Sequence, residues 1–101
     1  MLNVSNNNLK TLDRLQSLVS LRTLDVSGNE LVSLHRSVHV LVPLAKNLTR
    51  LDMRRNIVTA HPEYAGSVVR ILLNIRHLDN RDLVEFSEMY SHSAGSTFRP
   101  R

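Results

Sequence analysis

The 101-residue sequence has no cysteine and no tryptophan, and only four of its residues are aromatic. Without cysteine, neither a disulfide framework nor a thiolate metal site is available, which excludes a small secreted domain held together by disulfides. No N-terminal signal segment and no apolar run near the roughly 20 residues of a membrane-spanning helix is present. We therefore expect a soluble intracellular protein that has no membrane partner.

The charge balance is basic, with 13 Lys and Arg against nine Asp and Glu and a net charge of +4. Eleven of these basic residues are arginines, whose planar guanidinium groups favour bidentate contacts to carboxylate or phosphate. This composition permits binding to nucleic acid without requiring it.

The leucines recur in a pattern that keeps an asparagine in register. Its three copies are Leu2-x-Val4-x-x-Asn7-x-Leu9, Leu24-x-Val26-x-x-Asn29-x-Leu31 and Leu51-x-Met53-x-x-Asn56-x-Val58. The copies are offset by 22 and then 27 residues, and Leu21 and Leu48 precede the second and third. Together they match L-x-x-L-x-L-x-x-N-x-L, the pattern of leucine-rich repeats.

Each part of the pattern has a physical reason. The period-two alternation at Leu24-x-Val26 suits a short strand with one buried face. Asparagine at the turn can hydrogen-bond backbone groups that the bending chain leaves unpaired, so Asn7, Asn29 and Asn56 should form a ladder. The predicted fold is an α/β leucine-rich-repeat solenoid, with a curved parallel sheet inside and 3₁₀ or α turns outside.

The outer side of each coil should differ in form. From Leu9 to Leu24 a leucine falls at every third position, which matches a 3₁₀ segment better than an α-helix. The next coil is five residues longer, and its apolar residues between Val38 and Ala45 allow a short α-helical turn that Pro43 should end, kink or restart.

An amphipathic helical bundle is the structural alternative to a solenoid. A bundle needs heptad-like spacing without an asparagine in register, and the turn signal Ser27-Gly28-Asn29 would break its helix. We therefore prefer the repeat.

The pattern changes after Asn56 into what we interpret as a cap. Ile75-x-x-Leu78 lies 27 residues after Leu48-x-x-Leu51, which predicts a degenerate fourth strand with Leu83 in place of the turn asparagine. The residues on which we base the interpretation of this segment as a cap are Asn56-Ile57-Val58, Tyr64-Ala65, Val68-Val69, Leu72-Leu73, Ile75 and Leu78-Asp79.

This segment resembles the C-terminal capping motif of intracellular leucine-rich-repeat proteins. The resemblance is to the type found in a phosphatase 1 regulatory subunit, the spliceosomal A-prime subunit and axonemal dynein light chain one. Ile57, Ala65 and Asn74 depart from the proline, arginine and proline of that motif. A solenoid must cover its last apolar edge, so we still interpret this segment as a cap despite these three departures.

These patterns predict one domain over residues 1–90, with repeats near 1–20, 21–47 and 48–74 and a cap strand and helix over 75–90. Residues 91–101, rich in Ser, Gly and Arg-Pro-Arg, are expected to form a flexible tail. No polar cap precedes Leu2, so we expect a longer chain or another molecule to cover that edge.

The strand positions that point away from the core should form columns on the concave face. A carboxylate-rich column is predicted to be edged by arginines, and repeat proteins present such faces to partners. The candidate partner-binding residues are Asn3, Ser5, Thr23, Asp25, Ser27, Arg50, Asp52, Arg54, His77, Asp79 and Arg81. The alternative is that neighbouring Asp and Arg side chains only neutralise each other in solvent.

Signals for catalysis or metal binding are weak. His35 and His39 could share one face of a helical turn, but no third ligand has a convincing spacing. The carboxylates from Asp79 to Glu88 suit a solvated helix face, and Ser91-His92-Ser93 falls in the expected tail. We therefore expect no enzyme activity, cofactor, metal site or small-molecule substrate.

The function that these features favour is protein–protein interaction, as an adaptor or an assembly subunit that holds a helix or loop in its concave face. The alternative is an RNA-associated subunit with an arginine-rich surface, although RNA recognition usually adds exposed aromatic side chains for stacking. The resemblance implies settings in phosphatase regulation, the spliceosome or the axoneme, and hence the cytoplasm, nucleus or cilium.

Overall fold

A computed structural model describes residues 1–82 of the chain. The predicted terminal helix beyond Asp82 and the predicted tail over residues 91–101 lie outside the described residues. Within residues 1–82, no helix combines the length and the apolar character needed to cross a lipid bilayer.

Within residues 1–82, five short strands form one sheet in chain order. They are β1 (Leu2–Asn3), β2 (Thr23–Asp25), β3 (Arg50–Asp52), β4 (His77–Leu78) and β5 (Arg81–Asp82). The first four strands are parallel, and β5 pairs antiparallel with β4. Leu2, Leu24, Leu51 and Leu78 are neighbours across the parallel strands, which confirms the repeat offsets of 22 and 27 residues.

The first coil turns through a 3₁₀ segment at Asp13–Leu15. Backbone hydrogen bonds then continue at the same spacing, from the amide of Leu18 to the carbonyl of Leu15 and from Leu21 to Leu18. The leucine period of three therefore corresponds to successive three-residue turns, as predicted.

The second coil carries helix α1 (Leu34–Leu44), which is longer than the short turn that we expected. It begins earlier because the Ser33 hydroxyl caps it, accepting a hydrogen bond from the amide of Arg36 at 3.1 Å. Pro43 lies inside the helix, which ends one residue later. The third coil has a 3₁₀ segment at Ile57–Ala60 and helix α2 (Tyr64–Ile71).

The core is a continuous stack of aliphatic side chains between the sheet and these outer segments. Leu24, Val26 and Leu51 are completely buried, and Leu78 is 4% exposed. The burial of Leu24, Leu51 and Leu78 on parallel strands, with Val26 directly after β2, confirms the strand register inferred from the repeat.

The predicted asparagine ladder joins successive coils. The Asn29 amide nitrogen donates to the carbonyls of Val26 and Val4, and its oxygen accepts from the amide of Leu9. The buried Asn56 repeats this pattern one coil later, donating to Val26 and Met53 and accepting from Leu31.

The residue before each ladder asparagine has a left-handed backbone. Asn6, Gly28 and Arg55 have φ values of 57°, 68° and 59°. A Cβ at Gly28 would clash with the side-chain oxygen of Asn6, so another residue here would force the Asn6 side chain to move and would add strain at this φ.

The fourth repeat differs from the prediction. Asp79 and Asn80 have φ values of 55° and 67°, and two successive left-handed residues form a tight hairpin turn. The chain therefore reverses after Leu78, and Arg81 pairs with Leu78 instead of extending the parallel strand.

Candidate functional site

The sheet register assembles two rows of polar residues on the concave face. Asn3, Asp25 and Asp52 are direct neighbours, and so are Thr23, Arg50 and His77. Adjacent strands lie about 4.8 Å apart, so each row spans about 10 Å. The predicted row Asn3, Asp25, Asp52 is therefore present through β3, and the predicted row Thr23, Arg50, His77 continues onto β4.

The carboxylate-rich row also stabilises the turns that follow the strands. The side chains of Asn3 and Asp25 each accept a hydrogen bond from the amide two residues later, at 2.9 and 3.0 Å. Asp52 does the same with the amide of Arg54 at 3.0 Å. We did not predict this role, although the two-residue spacing of Asx turns is visible in the sequence.

Ser27 does not belong to the accessible face. It is 4% exposed, and its hydroxyl donates to Asp25 Oδ1 at 2.7 Å. The turn folds its hydroxyl back onto the neighbouring carboxylate, so Ser27 offers little surface to a partner, and its role as a partner contact stays a prediction.

Asp52 and Arg54 form an ion pair on this face. Arg54 Nη2 lies 2.7 Å from Asp52 Oδ2, and Arg54 Nε lies 3.0 Å from Oδ1. Burial acts to raise the pKa of Asp52, but the hydrogen bonds and charge of Arg54 outweigh it and hold the pKa below its ordinary value. At this position the two charges neutralise each other, which is the alternative that the sequence left open.

Asp79 is part of the cap. Its Oδ1 accepts from the amide of Met53 at 2.7 Å, and its Oδ2 accepts from the Tyr64 hydroxyl at 2.8 Å. Burial raises the pKa of Asp79 and also that of Tyr64, which is 4% exposed. Both Asp79 oxygens already have donors within the protein, so this residue is less available to a partner than we expected.

The hairpin nevertheless brings Arg81 to the end of the concave face. Arg54, Tyr64, Leu78, Asp79 and Arg81 line a cavity of about 320 Å³ there. The two arginines meet around this cavity, although Arg81 reaches it by a chain reversal and not along a fourth parallel strand.

Nine of the candidate residues keep an exposed or half-buried side chain that the cap does not use. The exposed ones are Asn3, Arg50, Arg54 and Arg81. The half-buried ones are Ser5, Thr23, Asp25, Asp52 and His77.

His35 and His39 are both exposed on α1. Over residues 1–82, no group of three or more His, Asp or Glu side chains is arranged to hold a metal ion.

No protein-family model and no curated protein matches the sequence. Solved structures do match the fold. The leucine-rich-repeat domain of Mex67 from Chaetomium thermophilum has a TM-score of 0.72 and 26% identity, over 80% of this chain and 56% of that one. The Chaetomium Mex67:Mtr2 structure has a TM-score of 0.68 and 27% identity, over 76% of this chain and 51% of that one.

A third match is the SNF/U2A' complex of Drosophila melanogaster, with a TM-score of 0.67 and 24% identity over 98% of this chain and 54% of that one. Identity at that level shows the fold alone. It does not say which of the leucine-rich-repeat proteins with a C-terminal capping motif this chain resembles most. This chain spans about half the length of each matched chain. The sheet, the asparagine ladder and these structural matches together show that the chain has the leucine-rich-repeat solenoid fold.

Proposed function

We propose that the protein is an interaction module or assembly subunit that holds a partner protein against its concave face. The observation that carries the proposal is the parallel register that aligns Asn3, Asp25 and Asp52 beside Thr23, Arg50 and His77. Two of the matched structures are themselves complexes, Mex67:Mtr2 and SNF/U2A', which supports an assembly role. The expected intracellular location stays a prediction.

The size and charges of the face suit a helix or loop. The rows are about 10 Å across, close to the diameter of an α-helix with its side chains. The exposed Arg50 and the cavity beside Arg54 and Arg81 suit carboxylates on the partner. Asp25 uses only Oδ1 in its side-chain hydrogen bonds to residues 1–82, which leaves Oδ2 to accept from a partner.

One observation favours a protein partner over RNA. The one aromatic side chain among residues 1–82, Tyr64, is buried. RNA-binding surfaces usually stack bases on exposed aromatic rings. Direct RNA binding therefore remains the second prediction.

The test is affinity purification of the full chain with quantitative mass spectrometry. Arg50→Glu reverses a charge on the concave face, and Arg70→Glu reverses an exposed charge on α2 as the matched control. A partner that uses the face should be retained by wild type and Arg70→Glu and depleted with Arg50→Glu, because like charges across an interface are costly.

Recovery of no stable protein partner would contradict the proposal, and so would a partner that both variants bind equally. Binding to single-stranded RNA is measured in parallel over a salt titration. RNA affinity that falls steeply with salt, and is lost on replacing Arg50, Arg54 and Arg81, would favour the RNA alternative.

A further inference from the structure

A second surface runs along the edge of the solenoid where the chain enters each strand. Arg22, Thr49 and Arg76 are equivalent residues there, each 27 positions apart. The amide of Thr49 donates to the carbonyl of Arg22 at 2.9 Å, and the amide of Arg76 donates to the carbonyl of Thr49 at 2.7 Å. We call the surface formed by Val19, Arg22, Lys46, Leu73 and Arg76 the pre-strand edge.

The uncharged polar side chains along this edge already serve the fold. Asn47 Nδ2 donates to the carbonyl of Val19, and Asn74 Nδ2 donates to the carbonyl of Lys46, both at 2.8 Å. These two residues form a second asparagine ladder, which the repeat pattern did not reveal. The Thr49 hydroxyl donates to the carbonyl of Arg22 at 3.2 Å. The groups that remain for a ligand are therefore chiefly the cations.

These cations surround a groove of about 370 Å³, with Arg22, Lys46 and Arg76 among its lining residues. No carboxylate of residues 1–81 lines it. The two ion pairs within the described part of the chain lie elsewhere, between Asp13 and Arg36 and between Asp52 and Arg54. A ligand that neutralises this groove must be anionic.

The same edge exposes apolar side chains beside its cations. Leu73 is 84% exposed and lines the groove. Val19 is 48% exposed, and its carbonyl accepts the hydrogen bond from Asn47. Val19 and Leu73 occupy the repeat position of Lys46 in the two neighbouring coils, each 27 residues from it, so exposed apolar side chains lie on both sides of this cation. A nucleic-acid backbone would satisfy the cations but bury neither Leu73 nor Val19, whereas an amphipathic acidic peptide would do both.

We propose that the pre-strand edge binds an acidic amphipathic segment of a partner protein, with its carboxylates on Arg22, Lys46 and Arg76 and an aliphatic side chain against Leu73. The inference rests on the proposed role as an interaction module, but it uses a different surface from the concave face. The contact is of the kind in which an amphipathic helix lies in a groove.

The test measures fluorescence anisotropy of a labelled peptide with the full chain. The probe is a helix-forming peptide of about 18 residues, roughly five turns, with glutamate and leucine on one face. The variant is Arg22→Gln/Lys46→Gln/Arg76→Gln. The control Lys10→Gln/Arg14→Gln/Arg70→Gln removes the same number and kinds of exposed charge away from this edge.

The edge variant should weaken peptide binding about tenfold, and the control variant less than about twofold, because only the first removes charges that meet the glutamates. Leu73→Ala should weaken binding several-fold without unfolding the protein, since its side chain is exposed. A peptide in which alanine replaces each leucine should lose the sensitivity to Leu73→Ala.

Equal effects of the edge and control variants would overturn the inference, as would no saturable binding up to about 1 mM peptide. Tighter binding of a uridine oligonucleotide than of the peptide, lost in the edge variant, would assign the groove to RNA instead. The purification with Arg50→Glu separates the two proposals. If the edge variant binds the peptide as wild type does, while a partner is still lost with Arg50→Glu, the proposed function stands and this inference fails.

Discussion

Asn29 shows how much one polar side chain contributes to the solenoid. Its amide joins two coils through three hydrogen bonds to carbonyls and one from the amide of Leu9, in a site that is 8% exposed. Asn7 occupies the same position in the first coil but is exposed, with two bonds to Val4 and Ser5. Comparing the two residues therefore distinguishes the effect of the asparagine hydrogen bonds from the effect of burying them.

We predict that Asn29→Ala lowers the free energy of unfolding by about 2–4 kcal/mol, because buried backbone groups lose their partners. Asn7→Ala should cost less than about 1 kcal/mol, since water can replace its bonds. Urea denaturation of both variants measures the difference. Equal losses of unfolding free energy in the two variants would show that burial does not increase the stabilisation that a ladder asparagine provides.

Asp79 provides a pH-dependent test of the cap. Because burial raises its pKa, the folded protein binds this proton more tightly than the unfolded chain does. The contribution of Asp79 to the unfolding free energy therefore increases as pH falls through its folded pKa towards the unfolded value of about 3.9. Asp79→Asn cannot take up that proton.

The expected result is that wild type gains stability relative to Asp79→Asn as pH is lowered from 7 towards about 4. Asp13 and Asp52 have lowered pKa values and act in the opposite direction. Both proteins contain them, so the effect of Asp13 cancels in the difference, and that of Asp52 cancels apart from its charge coupling to Asp79. Urea unfolding at several pH values provides the measurement. A difference that is constant or reversed in sign would contradict the buried position of Asp79.

At the scale of the element, helix α1 depends on how it starts. The Ser33 hydroxyl accepts from the amide of Arg36, and Ser37, Val40, Leu41 and Leu44 then bury one face of the helix. Ser33→Ala should lower the unfolding free energy by about 1 kcal/mol, as the loss of an N-cap does. Ser17→Ala, at an exposed position outside any helix, is the matched control and should change it by less than about 0.5 kcal/mol. If both substitutions prove neutral in urea unfolding, the cap does not stabilise α1.

The end of the sheet is the element that the sequence described least well. Ile75-x-x-Leu78 correctly placed β4 beside β3, because its leucine has the repeat spacing. The reversal at Asp79 and Asn80 was missed, since neither residue is glycine, although Asn and Asp adopt left-handed turns more readily than other residues. A local turn preference therefore overrode the repeat pattern at this point.

At the scale of the whole molecule, the core is one stack that runs from Leu24 through Leu51 to Leu78. Leu51 is completely buried on the central strand, so Leu51→Ala should cost roughly 2–5 kcal/mol. Each coil of a solenoid is supported only by its neighbours, so a cavity in the coil of β3 can lead to global unfolding. Leu73→Ala removes the same atoms at an exposed site and should cost less than about 0.5 kcal/mol.

Circular dichroism during thermal unfolding distinguishes these outcomes. A Leu51→Ala protein that melts at the temperature of wild type would mean that β3 does not lie in the core. The control also tests Leu73, because a large loss of stability there would place its side chain in the interior and not on the pre-strand edge.

The sequence by itself determined the repeat, the parallel register, the asparagine ladder and the rows Asn3, Asp25, Asp52 and Thr23, Arg50, His77. It could do so because these features follow from spacing alone: strand side chains alternate, and equivalent positions in successive coils must lie side by side. Only the tertiary structure decided which polar groups on the face remain accessible. Ser27 and Asp79 are occupied by Asp25, Met53 and Tyr64. Hydrogen-bond partners from other coils and the burial of each group set that outcome, and a one-dimensional pattern specifies neither.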